Sequence, residues 1–431
     1  MFGLTSHGAV EAAARAAFDR RLDRTAPGPL AVGFSGGGDS LALLILTLAW
    51  GRAHKRPVLA LTVDHQLQPA SAGWTASAVA TARRLGALAR ALAWEGPKPE
   101  TGLPAAARDA RHRLLADAAR AAGAQVLLLG HTADDRAEAA AMRAEGSSVG
   151  DPRDWSPSPV WPEGRGVFLA RPLLTTSRAD LRRFLRKRGE GWLDDPANDD
   201  PRFARARARL SAANEAPPLD FENHEAPRDL GALTGDDGVI ALPRAALTPT
   251  TLAAACLCAA GHDRPPRRRE IDALMARLTT DGAVTATLAG ARIEADDATV
   301  RVAREAGRKG VPEVILPIGD VTIWDGRFEI LADEPGLIVR GLSGLAARLP
   351  PEQRAALARI PAFARAALPA VVSTEGAVTC PILAERPGMR IASLVTARFA
   401  AACGVVTRES EGGDRARGEM KREGLSCPSV V

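Results

Sequence analysis

At 431 residues, 46% hydrophobic and 25% charged, the chain has the balance of a soluble globular protein and is long enough for two or three domains. Its net charge of +5, with a pI of about 9.2, permits an anionic partner such as RNA without demanding one. Five cysteines (Cys256, Cys258, Cys380, Cys403, Cys427) all lie in the second half and none forms a C-x-x-C pair, which excludes a zinc ribbon or a redox couple and points to a reducing cytoplasm. The stretch MFGLTSHGAVEAAARAAFDRR lacks the apolar core of a signal peptide. The longest apolar run, Leu41–Trp50, is about half the ~20 residues that a spanning helix needs, so no membrane segment is expected. The abundance of Ala and Arg, with no Tyr, reads as coding bias rather than function.

In chain order, the first ~215 residues alternate strand and helix patterns. Strands are expected at Leu30–Phe34, Val58–Asp64, Leu88–Trp94, Val126–Gly130 and Val167–Ala170, and helices near 8–24, 39–51, 71–85, 103–122, 133–145 and 177–188. Strands separated by single helices imply βαβ units in a parallel, doubly wound sheet, an α/β fold whose ligands sit beyond the C-terminal strand ends. The stretch 151–166, DPRDWSPSPVWPEGRG, carries four prolines and reads as a surface loop. Residues 214–234 read as a linker between a domain at 1–213 and a smaller mixed α+β region at 235–410 of one or two modules. In that region Thr251–Gly261 and Arg267–Leu278 look helical, Ala283–Ala303 alternates like a hairpin or meander, and 312–340 holds further short strands. Residues 411–431 read as a flexible polar tail.

The chemistry concentrates where the first strand ends. Residues 30–40, LAVGFSGGGDS, place Ser35, Gly36, Gly37, Gly38, Asp39 and Ser40 between an apolar strand and an apolar helix. Three glycines let the backbone approach a ligand closely, and a helix start offers free N–H groups to phosphate. No Lys follows these glycines, unlike the common phosphate-binding loop. An Asp does, and an acid in a phosphate site calls for a bridging divalent metal. Asp64 and His65 end the second strand. Gly130, His131, Asp134, Asp135 and Glu138 follow the fourth, with Asp135 and Glu138 on one helical face. Thr132 can cap that helix, which alone would account for Asp134 and Asp135, but not for His131 or Glu138.

The S-G-G-x-D-S pattern resembles the PP-loop of the ATP pyrophosphatase superfamily, whose members split ATP between the α- and β-phosphates. VDHQLQPAS, AAARDARHRLL, GHTADDRAEAAAMR, RPLLTTSRADLRRFL and WLDDPANDDPRFARARAR follow in order. Together these segments, over about residues 25–210, are similar to the tRNA(Ile)-lysidine synthase family. The resemblance implies a PP-loop, adenine nucleotide α-hydrolase-like fold. It also implies ATP as co-substrate, Mg²⁺, free L-lysine, and an isoleucine tRNA with a CAU anticodon, with the second half binding RNA. In the implied reaction the wobble cytidine is adenylated on its C2 oxygen, and the lysine ε-amine then expels AMP.

By the same resemblance, Gly36–Gly38, Ser35 and Ser40 hold the pyrophosphate end, with Asp64 and Gly130 also at the nucleotide. Asp39 and Asp135 ligate Mg²⁺, Glu138 binds the lysine ammonium, and His131 orients the reacting groups or shuttles a proton. Arg108, Arg111, Arg171, Arg205, Arg207 and Arg209 contact ATP, lysine or tRNA, Arg111 and Arg205 being the best matched. Trp192, Asp195, Pro196 and Asn198 fit a turn that positions the basic helix beyond it. The chain departs from the family pattern at Gln66, Gln68, His112, Arg136, Ala139, Ala206 and Ala208, which touches RNA contacts rather than metal ligands. Another PP-loop enzyme, such as a tRNA thiolase or an amide-forming synthetase, and a non-catalytic tRNA- or nucleotide-binding protein are the alternatives. A homodimer is compatible with the sequence, and the base that would deprotonate lysine is not identified.

Overall fold

The structure, a computed structural model, describes residues 6–145, 150–193, 233–280, 282–308 and 310–409. The linker expected at 214–234, apart from its last two residues, lies outside them, as do the tail expected at 411–431 and Asp195, Pro196, Asn198, Arg205, Arg207 and Arg209. The chain divides into one unit of Met1–His224 with Val406–Gly413, and another of Glu225–Val405 with Asp414–Val431.

In the first unit β1 (Leu30–Gly33), β2 (Val58–Asp64), β3 (Leu88–Ala93), β4 (Val126–Leu128), β5 (Trp155–Pro157) and β6 (Phe168–Ala170) form one sheet, ordered β3-β2-β1-β4-β6-β5. Among the described residues six helices accompany it: α1 (Ser6–Arg21), α2 (Gly38–Ala53), α3 (Ser71–Leu85), α4 (Leu103–Ala121), α5 (Ala133–Ala144) and α6 (Arg178–Lys187). Leu30, Ala31 and Val32 of β1 are fully buried, as a central strand covered on both faces requires. The α4 residues Leu115 and Ala119 pack on Ala31, Leu61, Leu127 and Leu169. The apolar α2 is buried along most of its length and packs with α1 and α6. β1 pairs in parallel with β2 on one side and β4 on the other. Strand order therefore reverses between β1 and β4, and such a reversal opens a crevice beyond their C-terminal ends.

The expected elements of this unit appear within a few residues of their expected bounds, with one correction. The four-proline stretch 151–166 is not a surface loop. It contributes β5, which runs antiparallel to β6 and makes the sheet mixed rather than wholly parallel. Trp155 stacks on Phe168 at 5.1 Å between centroids and is buried. Pro157, the one proline within β5, is tolerated because β5 is an edge strand that needs backbone partners on one side only.

Val406–Glu409 completes the first unit. Arg56 Nη1 and Nη2 donate to the Glu409 carboxylate at 2.7 and 2.9 Å, with both side chains almost wholly buried. Glu409 also accepts from the Asp23 N–H. Trp155 Nε1 and Arg21 Nη1 donate to the carbonyls of Val406 and Thr407.

The second unit begins with a five-stranded antiparallel sheet whose strands lie at Leu233–Thr234, Ile240–Pro243, Thr299–Arg304, Ala291–Ala295 and Val284–Leu288, in spatial order. The stretch 283–303 is the expected meander, turning at Ala289 and Gly290, both of positive φ. Helices Pro249–Ala260 and Arg268–Thr280 share a core with this sheet. Beyond it, short strands between Val314 and Ser393 form a four-stranded and a three-stranded sheet. Cys256, Cys258, Cys380 and Cys403 are free and buried, and burial pushes each thiol up to about 12. Such burial disfavours the thiolate form.

Candidate active site

The glycine-rich loop joins β1 to α2 at the switch point. Gly36 has φ +84, a conformation that a side chain at this position would strain. Gly37 is the N-cap of α2 and carries no side chain to close the first turn, so the turn's N–H groups stay available to an anion. Ser40 Oγ donates to the Gly37 carbonyl at 2.9 Å and lies 3.1 Å from Ser35 Oγ, which braces the loop from beneath. Gly130 follows β4 and lies so close to this loop that a Cβ there would sit 3.1 Å from the Asp39 and Ser40 backbone. Its smallness brings the β4–α5 turn against the PP-loop.

Three carboxylates converge on one guanidinium. Arg178 opens α6 after β6, the neighbour of β4, and donates to Asp39 Oδ2 at 3.2 Å, Asp135 Oδ1 at 2.8 Å and Glu138 Oε1 at 2.6 Å. Its backbone N–H donates to Asp134 Oδ2 at 2.8 Å. The structure thus brings together Asp39, Asp135 and Glu138, and adds Arg178, to which the sequence patterns assign no role. Its signal was present: the helix after β6 must begin at the same sheet edge as those after β1 and β4. The capping reading of Asp135 also holds, because Oδ2 accepts from Thr132 N and Oγ1 while the Asp135 N–H donates back to Thr132 Oγ1. Each oxygen of Asp135 has its own task.

The charges are unevenly satisfied. Burial raises the Asp39 carboxyl above the usual range despite Arg178 and Arg182. Burial works against ionised Asp135 too, but Arg178 and the Thr132 N–H outweigh it and the pKa falls. The same acids raise Arg178 against its own burial. Asp39 Oδ1 is buried without a hydrogen bond, with Arg182 Nη2 4.0 Å away. Arg182 in turn lies over the Trp192 ring at 4.7 Å.

Among the described residues no three His, Cys, Asp or Glu side chains are arranged to hold a metal alone. A Mg²⁺ held by two carboxylates and completed by phosphate oxygens and water needs no such trio. The unbonded Asp39 Oδ1 beside Asp135 fits that arrangement.

A second, cationic cluster adjoins the acids. Arg171, at the end of β6, donates Nε–H to His131 Nδ1 at 3.1 Å. Its Nη1 is tied to the Arg153 carbonyl and Ser156 Oγ of the β5 segment. Guanidinium nitrogens only donate, so Nδ1 is an acceptor and the His131 proton resides on Nε2. Burial, then Arg171, holds His131 well below its ordinary pKa. His131 is thus a neutral imidazole whose Nε2–H can donate. Arg108 and Arg111 add positive charge around His131 and His112, and Arg111 also acts on His65. Asp64 sits apart from the acid cluster's hydrogen bonds, Oδ1 accepting from the Gln66 N–H in a tight turn at the end of β2. Arg205 lies outside the described residues.

A glycine-rich loop without lysine, acids at the switch point and an unclosed helix N-terminus define the PP-loop class of ATP-using enzymes, and residues 11–216 match the PP-loop domain family. Over 92% of its length the chain is 54% identical to the tRNA(Ile)-lysidine synthase of Caulobacter vibrioides, covering 98% of that protein. The enzymes of the same name from Hyphomonas neptunium and Mesorhizobium japonicum are 38% and 36% identical, over 71% and 82% of this chain and 89% and 86% of theirs. The chain belongs to the tRNA(Ile)-lysidine synthase family, ligases built on a PP-loop ATP pyrophosphatase domain.

Proposed function

We propose that the protein converts the wobble cytidine of an isoleucine tRNA with a CAU anticodon to lysidine, consuming ATP and free L-lysine and releasing AMP and pyrophosphate. The convergence of Asp39, Asp135 and Glu138 beside the uncapped start of α2 carries this reading. The loop N–H groups of Gly36–Gly38, with Ser35 and Ser40 beneath them, receive the β- and γ-phosphates. Asp39 and Asp135 hold Mg²⁺, which when bound neutralises charge on the departing pyrophosphate.

In the first step the cytidine C2 oxygen attacks the α-phosphorus and the bond to the bridging oxygen breaks. In the second the neutral ε-amine attacks C2 and the C2–O bond breaks, with AMP leaving. Glu138 receives the lysine ammonium. His131, as an Nε2–H donor, orients an oxygen of the reacting groups, and Arg108 and Arg111 make its surroundings favourable to anions. His131 cannot take lysine's proton at Nδ1, which Arg171 occupies. Desolvation and the neighbouring arginines would lower the amine's pKa, against the charge of Glu138, which would raise it. The second unit, with exposed Arg264, Arg267, Arg268 and Arg269 ahead of and in its helix Arg268–Thr280, supplies phosphate contacts to the tRNA. Among the described residues no helix is long and apolar enough to cross a membrane, and ATP, lysine and tRNA meet in the cytoplasm.

Incubation with ATP, lysine and each CAU-anticodon tRNA, followed by mass analysis of the nucleosides, tests the reading. Lysidine in the isoleucine tRNA alone is expected. Pyrophosphate release without tRNA would point to a different PP-loop enzyme, and no nucleotide turnover to a binding protein.

A further inference from the structure

Arg178 stands on the oxygens that the reaction needs. Both oxygens of Asp135 are engaged: Oδ2 caps α5 through Thr132, and Oδ1 accepts Arg178 Nη2 at 2.8 Å. A metal bound by Asp135 without breaking that cap takes the oxygen that Arg178 holds. Glu138 poses the same conflict, since Oε1 accepts Arg178 Nη1 at 2.6 Å, and an ammonium recruited there meets a resident cation. A guanidinium keeps its charge and accepts no hydrogen bond, so it cannot bridge to either newcomer.

We propose that Arg178 is an internal competitor for the acid cluster, whose guanidinium must release Asp135 and Glu138 before Mg²⁺ and the lysine ammonium bind there. The inference rests on the metal and lysine assignments made above and adds the exchange. The α6 backbone need not move. The Arg178 N–H is held by Asp134, and Ser177 caps the helix by accepting from the Asp180 N–H, so side-chain torsions suffice for the release. A cation that must displace Arg178 binds with an apparent affinity lowered by the fraction of molecules in which the carboxylates are released. A bare ion is therefore disfavoured. A metal–triphosphate brings its own oxygens to the ion and gives the displaced guanidinium an anionic partner. Arg178 thus couples metal binding to nucleotide binding, and by linkage the coupling is reciprocal.

The test measures Mn²⁺, in place of Mg²⁺, binding to the full chain by electron paramagnetic resonance, with and without the α,β-methylene analogue of ATP. Arg178→Met is expected to tighten binding of Mn²⁺ alone by about tenfold or more and to shrink the further gain from the analogue, with Arg178→Lys between it and the parent. Unchanged or weaker Mn²⁺ binding by a folded Arg178→Met protein overturns the exchange. Adding Asp39→Asn to Arg178→Met should abolish the tight ion. If the tight ion persists, it is held elsewhere, and the metal assignment fails along with the exchange. Failure of the parent to bind Mn²⁺ even with the analogue sinks the metal assignment itself. Should Arg178→Met not fold, ¹⁵N-arginine spectra of the parent decide the matter. The Arg178 Nε signal, assigned through Arg178→Lys, should move when the Mg²⁺–analogue complex saturates the site, and an unmoved signal contradicts the proposal.

Discussion

Arg171 donates to His131 Nδ1 and is itself gripped by the β5 segment, so the tautomer of His131 depends on Arg171. Replacing Arg171 with Gln should free His131 to sample both tautomers and to titrate nearer its ordinary 6.5. Imidazole ¹⁵N spectra would report this as a change from a fixed Nε2–H form to an averaged one. A His131 spectrum unaltered by the substitution would contradict the tautomer argument. Glu138, buried on α5 against Arg178, is the residue we propose for the lysine step. Glu138→Gln should raise the lysine KM about tenfold or more while pyrophosphate release persists, as loss of one charged hydrogen bond implies. Equal loss of both steps would show that Glu138 serves adenylation instead. These residues differ in how legible they were. Asp39, Asp135 and Glu138 could be read because each follows a strand end with its neighbours in sequence. Arg178 was hidden among many arginines, since only the adjacency of β6 to β4, a non-local fact, singles it out.

At the scale of elements, α4 buries His112, whose Nδ1 has no hydrogen bond and whose pKa burial, then Arg111 and Arg108, pushes down to about 3. The folded protein refuses a proton that the unfolded chain accepts at 6.5, so this contribution is present above that pH and is lost as pH falls toward 3. Lowering the pH to about 5 should therefore cost about 2 kcal/mol through this one residue. His112→Phe, compared with the parent by urea unfolding at both pH values, should remove that part of the acid sensitivity. An identical acid slope in the variant would refute the assignment. Helices and parallel strands of the first unit were legible because their periodicity is local, and for α5 because Thr132 caps it where expected. β5 was not, because its prolines obscure a pairing that only an edge strand permits. In the second unit the meander over 283–303 announced itself by alternation. The sheets beyond it join short strands far apart in sequence, such as Phe328–Ala332 with Met389–Ser393, and no local pattern carries that.

At the scale of the molecule, the first unit is not finished until Val406–Glu409 is in place. Glu409→Gln leaves the buried Arg56 guanidinium without its counter-charge and should cost about 3–5 kcal/mol, seen as a lower unfolding midpoint of the first unit. Arg56→Met with Glu409→Leu should recover much of that loss. A chain ending at 405 should show the same instability, so weak ATP binding by a truncated chain would not of itself implicate the second unit. Charge reversal at Arg264, Arg267 and Arg269 tests the RNA role without that complication: tRNA affinity should fall and its salt dependence flatten by about one unit for each phosphate no longer neutralised. Unchanged affinity would remove this patch from the interface. The central claim, that acids gathered at the β1–β4 switch point direct cleavage of ATP at the α-phosphorus, meets its most direct test in single-turnover pyrophosphate release from ATP with the CAU-anticodon isoleucine tRNA. Asp39→Asn, with unfolding stability close to the parent's, should slow that release by about 10³-fold or more, as the loss of a charge-neutralising ligand implies. Release at the parental rate in the folded variant would contradict it.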